Sequence, residues 1–284
     1  MFPWIFSNLP QIIGAGLAGL RAAAQGKPVV AAIDELGGDD HDAVVSADAR
    51  VGTARLPTSE EVSLNVDRSR RLAPGQYINE RTKKEAVGLH FTAGANADSA
   101  IRTFAQDPRR VATAYVVDTD GRIFELFDPH LWAYSFGVKG GAASVIEKRT
   151  VAIEIANWGP LRRSGDQLYC WPPADKQGRE TYSRRYCRID ETDRFVTATY
   201  RGTRYFAAYP EAQIVAVHRL VAHLCREFDI PAVVPSPEMR GTADVAFFAR
   251  WRGVFGHQNV RADKVDPGPA LDWDRLARAI AGQS

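Results

Sequence analysis

The chain has 284 residues, enough for one large domain or two small ones. Apolar residues make up 45% and charged residues 25%, the ordinary globular balance that permits a proper core. A net charge of +2 carries no nucleic-acid footprint, so a nucleic-acid partner is not expected, although mild basicity suits other anionic polymers.

The first charged side chain is Arg21, and Pro3, Asn8, Pro10 and Gln11 interrupt the uncharged run before it. A signal peptide's basic n-region is missing, so a surface-docking apolar helix is favoured over a signal or membrane anchor. Within this run QIIGAGLAGL places Gly14, Gly16 and Gly19 at the G-x-G-x-x-G spacing of a dinucleotide-binding turn. The context fails. Pro10 leaves only Gln11, Ile12 and Ile13 for the strand such a turn requires, and Asp34 runs straight into Glu35-Leu36-Gly37-Gly38 without a second strand. No dinucleotide is expected. The small residues read instead as a helix face for close packing against another helix or a membrane. Residues 37–61 are rich in Gly, Asp and Ser without a sustained period and read as linker. Asp39, Asp40, His41 and Asp42 lack calcium-loop spacing and read as a solvated turn. The domain reading is therefore an N-terminal segment over 1–71 and a folded domain over 72–284.

From residue 72 the texture changes. EAVGLHF (85–91) has a strand's composition and ends in a small-residue turn. ADSAIRTFAQ (97–106) has a helical period through Ala100, Ile101 and Phe104, with Pro108 beyond its end. TAYVVDTDGRIFELF reads as a hairpin around Asp118-Thr119-Asp120-Gly121, and TVAIEIANWG (150–159) as a buried strand. Residues 160–205 are polar and aromatic, with weak strand signals around FVTATY. PEAQIVAVHRLVAHLCREFDIP forms the clearest helix, its stripe running through Ile214, Val217, Leu220, Val221, Leu224, Cys225 and Phe228 until Pro231. A loop and a last helix, capped by Asp272, close the chain. Strands and helices are mixed without regular alternation, so the fold class is α/β or α+β with a single mixed sheet flanked by helices. Cys170, Cys187 and Cys225 are too few and too widely spaced for a disulfide framework or a zinc knuckle. Reduced core thiols are favoured, and a Cys170–Cys187 bridge remains the alternative.

Of the six histidines, His218 and His223 lie about 140° apart around their helix and chelate poorly. His130 follows Asp128-Pro129 with no obvious partner. His90 and His257 differ. His90 ends a buried strand just before a turn, and His257 sits in a Gly-flanked loop nine residues before Asp266, itself followed by Pro267-Gly268-Pro269. Two imidazoles and a carboxylate, with water as the fourth ligand, would make an open catalytic zinc site, but residues so far apart in sequence do not establish one by spacing alone.

LHFTAG (89–94), followed in order by VVDTDGRIFEL, VAIEIANWGPL, the segment from YRGTRYF to the long helix, and GHQNVRADKVDPGPALDW, resembles the zinc-dependent type 2 N-acetylmuramoyl-L-alanine amidases. That family includes phage endolysins, wall-recycling amidases and peptidoglycan recognition proteins. The likeness spans roughly residues 72 to 282, and APGQYINERTKKEAVGLHFTAG is especially like the phage enzymes. It implies a Zn2+ ion in a groove at the strand ends, with His90, His257 and Asp266 as ligands and Glu154 and Lys264 as catalytic residues. The groove would hold peptidoglycan against Trp132, Tyr134, Asn157 and Trp158. Glu154 would take the proton of the attacking water and Lys264 would stabilise the oxyanion. Without the resemblance, a strand-end salt bridge and a solvated loop charge are the simpler readings of these two.

The chain departs from the family at Phe91, where a second histidine is common, at Ala114, and at Ser135, where a histidine is expected. These changes touch the polar lining of the groove and no metal ligand. The aromatic and arginine-rich stretch around Tyr169, Trp171, Tyr182, Tyr186 and Tyr200 suits a glycan or peptide subsite, although packing beneath a hairpin is favoured. The expectation is a peptidoglycan amidase of endolysin type, touching a membrane or virion through residues 1–25. Such an enzyme would be cytoplasmic before release and then act in the host periplasm and wall, or travel with the virion. The alternatives are a cytosolic recycling amidase and a non-catalytic recognition or virion module, the latter disfavoured because all three ligands are present.

Overall fold

The computed structural model describes residues 64–170 and 184–282. The glycine fingerprint, the N-terminal helix, residues 1–25, the acidic turn, Trp171 and Tyr182 lie outside these residues. In chain order the elements are β1 (Val66–Asp67), β2 (Ala86–Phe91), α1 (Ala97–Gln106), β3 (Tyr115–Val117), β4 (Ile123–Glu125), α2 (Ala142–Arg149) and β5 (Thr150–Ile155). There follow β6 (Pro160–Ser164), β7 (Gln167–Cys170), β8 (Arg185–Arg188), β9 (Phe195–Tyr200) and β10 (Thr203–Ala207). The chain closes through α3 (Glu211–Glu227), α4 (Pro237–Arg240), α5 (Val245–Phe248), β11 (Gly253–Gly256), a short 3-10 turn over His257–Asn259, and α6 (Trp273–Ile280). Among the described residues no helix is long and apolar enough to cross a membrane.

A mixed six-stranded sheet, ordered β1-β4-β3-β5-β2-β11, forms the centre. β2 and β5 are apolar on both faces because helices cover both sides, which is why they read as continuous runs rather than alternations. Val87, Leu89, Ile153 and Ile155 are fully buried, each contributing about 1.5–3 kcal/mol relative to exposure. α1 begins where the Asn96 carboxamide accepts the Ser99 N–H at 3.1 Å, and it buries Ala100, Ile101 and Phe104. α3 buries the expected stripe from Ile214 to Cys225 and also Gln213, whose amide donates to the carbonyls of Val117 and Ala156 at the ends of β3 and β5. The expected hairpin is β3–β4, closed at Gly121. Residues 64–71, placed from sequence in the N-terminal segment 1–71, pack into this fold. β1 pairs in parallel with β4, and Arg68 and Arg71 both bond the buried Glu125. That pairing is long-range and leaves no local signal.

Residues 160–207 add a second sheet beyond the central one, antiparallel and ordered β8-β7-β6-β10-β9. Its small core holds Leu161, Leu168, Cys187, Phe195 and Ala207. One face is solvated and the strands are short, so their alternation was too weak to read except in FVTATY. Cys170, Cys187 and Cys225 are free and buried.

Lys84, just before β2, is only 2% exposed and donates to the Lys148 carbonyl at 2.7 Å. Burial pulls its pKa down to about 7, although Asp128 and Glu80 pull it up. The folded value lies below the unfolded one of about 10.4, so the unfolded chain binds more protons between the two. Stability therefore rises with pH from about 7 to about 10, and this contribution is lost as pH falls. Lys84→Met should remove up to about 1.4 kcal/mol per pH unit of that slope, read by urea unfolding at pH values of about 7 and about 9. Equal slopes in the two proteins would overturn this assignment.

Candidate metal centre and active site

Three parallel strands deliver the site. In the β2–β5 ladder His90 lies beside Glu154, and in the β11–β2 ladder Gly256 lies beside Leu89, so His257 follows at the same edge. Functional groups thus gather outside the carboxyl ends of parallel strands, where backbone gives way to loop. Asp266 is returned to this edge by the loop after the 3-10 turn. The Gln258 N–H donates to the Asp266 carbonyl at 2.9 Å, and the Gln258 side chain accepts the Gly268 N–H at 3.1 Å. The approach is close enough that a Cβ at Gly256 would lie 2.5 Å from the Pro267 ring, so only glycine fits there. Arg201, from the second sheet, donates to the carbonyls of Gln258, Arg261 and Lys264 and pins the loop that carries Lys264.

His90 Nδ1 and His257 Nδ1 are 3.0 Å apart, and Asp266 Oδ2 lies 3.2 Å from the first and 2.9 Å from the second. All three residues are buried. His257 Nε2 lies 2.8 Å from the Phe136 carbonyl, which can only accept, so Nε2 carries a proton and Nδ1 is the ring nitrogen that faces the cluster. Burial, reinforced by His257, lowers the His90 pKa to about 4 and keeps that ring neutral. Burial alone would raise the Asp266 carboxyl, but His257 and His90 together hold it far below the usual carboxylate range. Two imidazole Nδ1 atoms and an ionised carboxylate therefore converge on one point. The spacings of 2.9–3.2 Å approach the roughly 3.3 Å edge of a tetrahedron with bonds near 2.0–2.1 Å. The three atoms could hold one metal ion between them, and two imidazoles with a carboxylate are a donor set that fits zinc.

Glu154 is buried, 3% exposed, beside His90 in the β2–β5 ladder. Burial and the Asp266 charge push its pKa well above the usual value, while Lys264 draws it back, which places all three within electrostatic reach. Tyr209, missed in the sequence reading, donates its hydroxyl to the Pro267 carbonyl at 2.8 Å. Burial, with Asp266 and Glu154, pushes its pKa well up. Its position directly before Pro210 carries no local signal of this role.

Phe136 packs against both imidazoles, its ring centroid 4.6 Å from that of His90 and 5.6 Å from that of His257. A Cβ at Gly88 would run into that ring. Gly88→Ala should therefore cost about 1–3 kcal/mol and displace Phe136 from the histidines. Thermal unfolding reads the effect, and an unchanged midpoint would refute it.

The groove residues named from sequence divide. Asn157 and Trp158 line a cleft of about 350 Å³ together with Gly94, Tyr186, Arg194 and Tyr209. Asn157 uses its amide to bond the carbonyls of Ala207 and Ala208 and accepts the Gly159 N–H, tying the central sheet to the second one. Trp132 and Tyr134 are not in this cleft. Trp132 donates to Glu80 at 3.0 Å beneath the Lys148 ammonium, and Tyr134 packs edge-on against it. Glu80 and Lys148 precede the amino ends of β2 and β5, away from His90 and Glu154. His130, lacking a partner in the sequence reading, bonds Asp128 at 2.9 Å and packs on Phe228.

A mixed sheet whose parallel strand ends carry a buried His-His-Asp cluster beside a glutamate and a lysine is the scaffold of a metal-competent hydrolase. The chain belongs to the N-acetylmuramoyl-L-alanine amidase family, whose profile matches residues 80–269 and so contains the whole cluster. No curated protein sequence matches the chain. Among solved structures it is similar to the E. coli amidase AmiD in complex with its substrate, at 19% identity and a TM-score of 0.43, over 74% of this chain and 61% of that one. AmpDh3 from Pseudomonas aeruginosa is similar at 18% identity and a TM-score of 0.41, over 71% and 61%. A mutant endolysin from Bacillus subtilis is similar at 12% identity and a TM-score of 0.44, over 76% and 99%. The chain thus spans 61% of the length of the AmiD and AmpDh3 chains.

Proposed function

We propose that this protein is a zinc-dependent amidase that cleaves peptidoglycan between the lactyl carbonyl of N-acetylmuramic acid and the amine of L-alanine. The observation that carries the reading is the convergence of His90 Nδ1, His257 Nδ1 and Asp266 Oδ2 within 3.2 Å, next to Glu154, in a chain of this family. Zinc held by these three atoms would supply Lewis acidity at the carbonyl and a bound water acidified toward pKa ~7. Glu154, deprotonated, takes a proton from the attacking water on its carboxylate and returns it to the leaving nitrogen, so water and amide become acid and amine. Lys264 places a positive charge where the carbonyl oxygen becomes anionic, an interaction worth roughly 3 kcal/mol when preorganised. The cleft at Asn157 and Trp158 receives the glycan or stem peptide, and burial of Glu154 keeps bulk water from levelling its basicity.

The endolysin reading is favoured by the phage-like approach sequence APGQYINERTKKEAVGLHFTAG, and it places the enzyme in the host wall after release. The recycling reading is favoured by Asp266 as third ligand, where other family members carry cysteine. Mass spectrometry of digested walls tests the activity. New L-alanine amino termini and intact glycan strands are expected, and cleaved glycan without new amino termini would overturn it. Comparing intact sacculi with soluble anhydro-muropeptide separates the two settings.

A further inference from the structure

The metal cluster is held from behind by a residue that no motif marks. Glu147 on α2 is buried, and its carboxylate accepts four groups of a single loop. These are the Ser135 N–H at 2.8 Å, the Ser135 hydroxyl at 3.0 Å, the Phe136 N–H at 3.0 Å and the Gly137 N–H at 3.0 Å. The other face of the same loop meets the cluster: the Phe136 carbonyl takes the His257 Nε2 proton at 2.8 Å, and the Phe136 ring lies against His90. Ser135 replaces the histidine expected at this position, and its hydroxyl is the group that completes the carboxylate's shell.

We propose that Glu147 is a positioning residue for the metal centre. It fixes the loop whose Phe136 carbonyl accepts the His257 Nε2 proton. Its carboxylate is held by these four loop donors and, among the described residues, by no cation. A partner that orients a metal-ligating imidazole through its second nitrogen typically changes metal affinity 10–100-fold. Glu147 acts one bond further out, through the backbone of 135–137. The inference rests on the metal reading given above.

The test is zinc affinity, measured by competition with a chromophoric chelator on the full chain, with the absorption spectrum of the cobalt form as a second readout. Glu147→Gln keeps the shape but sets an amide N–H against backbone donors, and zinc should bind about 10–100-fold more weakly with an altered cobalt spectrum. Ser135→Ala removes only one of the four bonds and should fold normally, with a smaller weakening of roughly 2–5-fold. If Glu147→Gln lowers the metal-free unfolding temperature while zinc affinity stays at the wild-type value, Glu147 is a packing residue and the proposal falls. Should Glu147→Gln fail to fold, unchanged affinity in Ser135→Ala overturns it equally. A wild-type protein without zinc affinity defeats the metal reading itself, whereas a wild-type-like Glu147→Gln defeats only this role.

Discussion

His257→Ala should abolish release of L-alanine amino termini from cell walls, lowering turnover by at least about 10³-fold, or about 4 kcal/mol in the barrier. The residue does two jobs at once: its Nδ1 is one of three converging donor atoms, and its Nε2 is anchored to Phe136. Its loss leaves a buried carboxylate facing a single imidazole, with a cavity where the second ring stood. Chelation of the wild type should give the same loss, and added zinc should restore the wild type but not the variant. A folded wild type should also be stabilised by zinc in proportion to the logarithm of its concentration above Kd, and the variant should lose most of that gain. Full activity surviving both treatments would remove the metal from the mechanism.

Glu154→Gln should leave zinc content and KM unchanged while kcat falls by about 10²–10⁴-fold, the usual contribution of a positioned general base. The pH profile separates this from a structural effect. Burial and the Asp266 charge hold the Glu154 carboxyl well above its ordinary range, with Lys264 opposing them. A base works only when deprotonated, so the wild-type rate should fall as pH drops through that raised value. The residual rate of the variant should lack this acid limb. A profile on soluble muropeptide that keeps the limb in Glu154→Gln would assign the proton transfer elsewhere.

Much of the fold was legible before any coordinates because the physics behind it is local. EAVGLHF and TVAIEI are strands buried on both faces, and the stripe from Ile214 to Cys225 follows the 3.6-residue period, so neighbouring residues alone identify them. The site was legible in another way. His90, His257 and Asp266 are spread over most of the chain, and only the ordered recurrence of family motifs joined them. The features that the sequence left open concern residues whose surroundings are set by distant partners. Trp132 has the composition of a sugar platform, yet Glu80 and Lys148 engage its ring, and Tyr134 packs edge-on against it. The strands of 160–207 cover a small core with one wet face, so their alternation is diluted.

What the sequence by itself determined is the central strand and helix set, and the identity of the side chains able to do the chemistry, because periodicity and residue type are properties of the chain. Only the tertiary structure decided that β2, β5 and β11 run parallel in a register that sets His90 beside Glu154 and brings His257 to the same edge. It alone placed Tyr209 against the Asp266 loop and Glu147 behind Phe136. A buried carboxylate that satisfies three backbone N–H groups of a loop leaves no pattern in sequence, because its partners are backbone atoms that every residue carries.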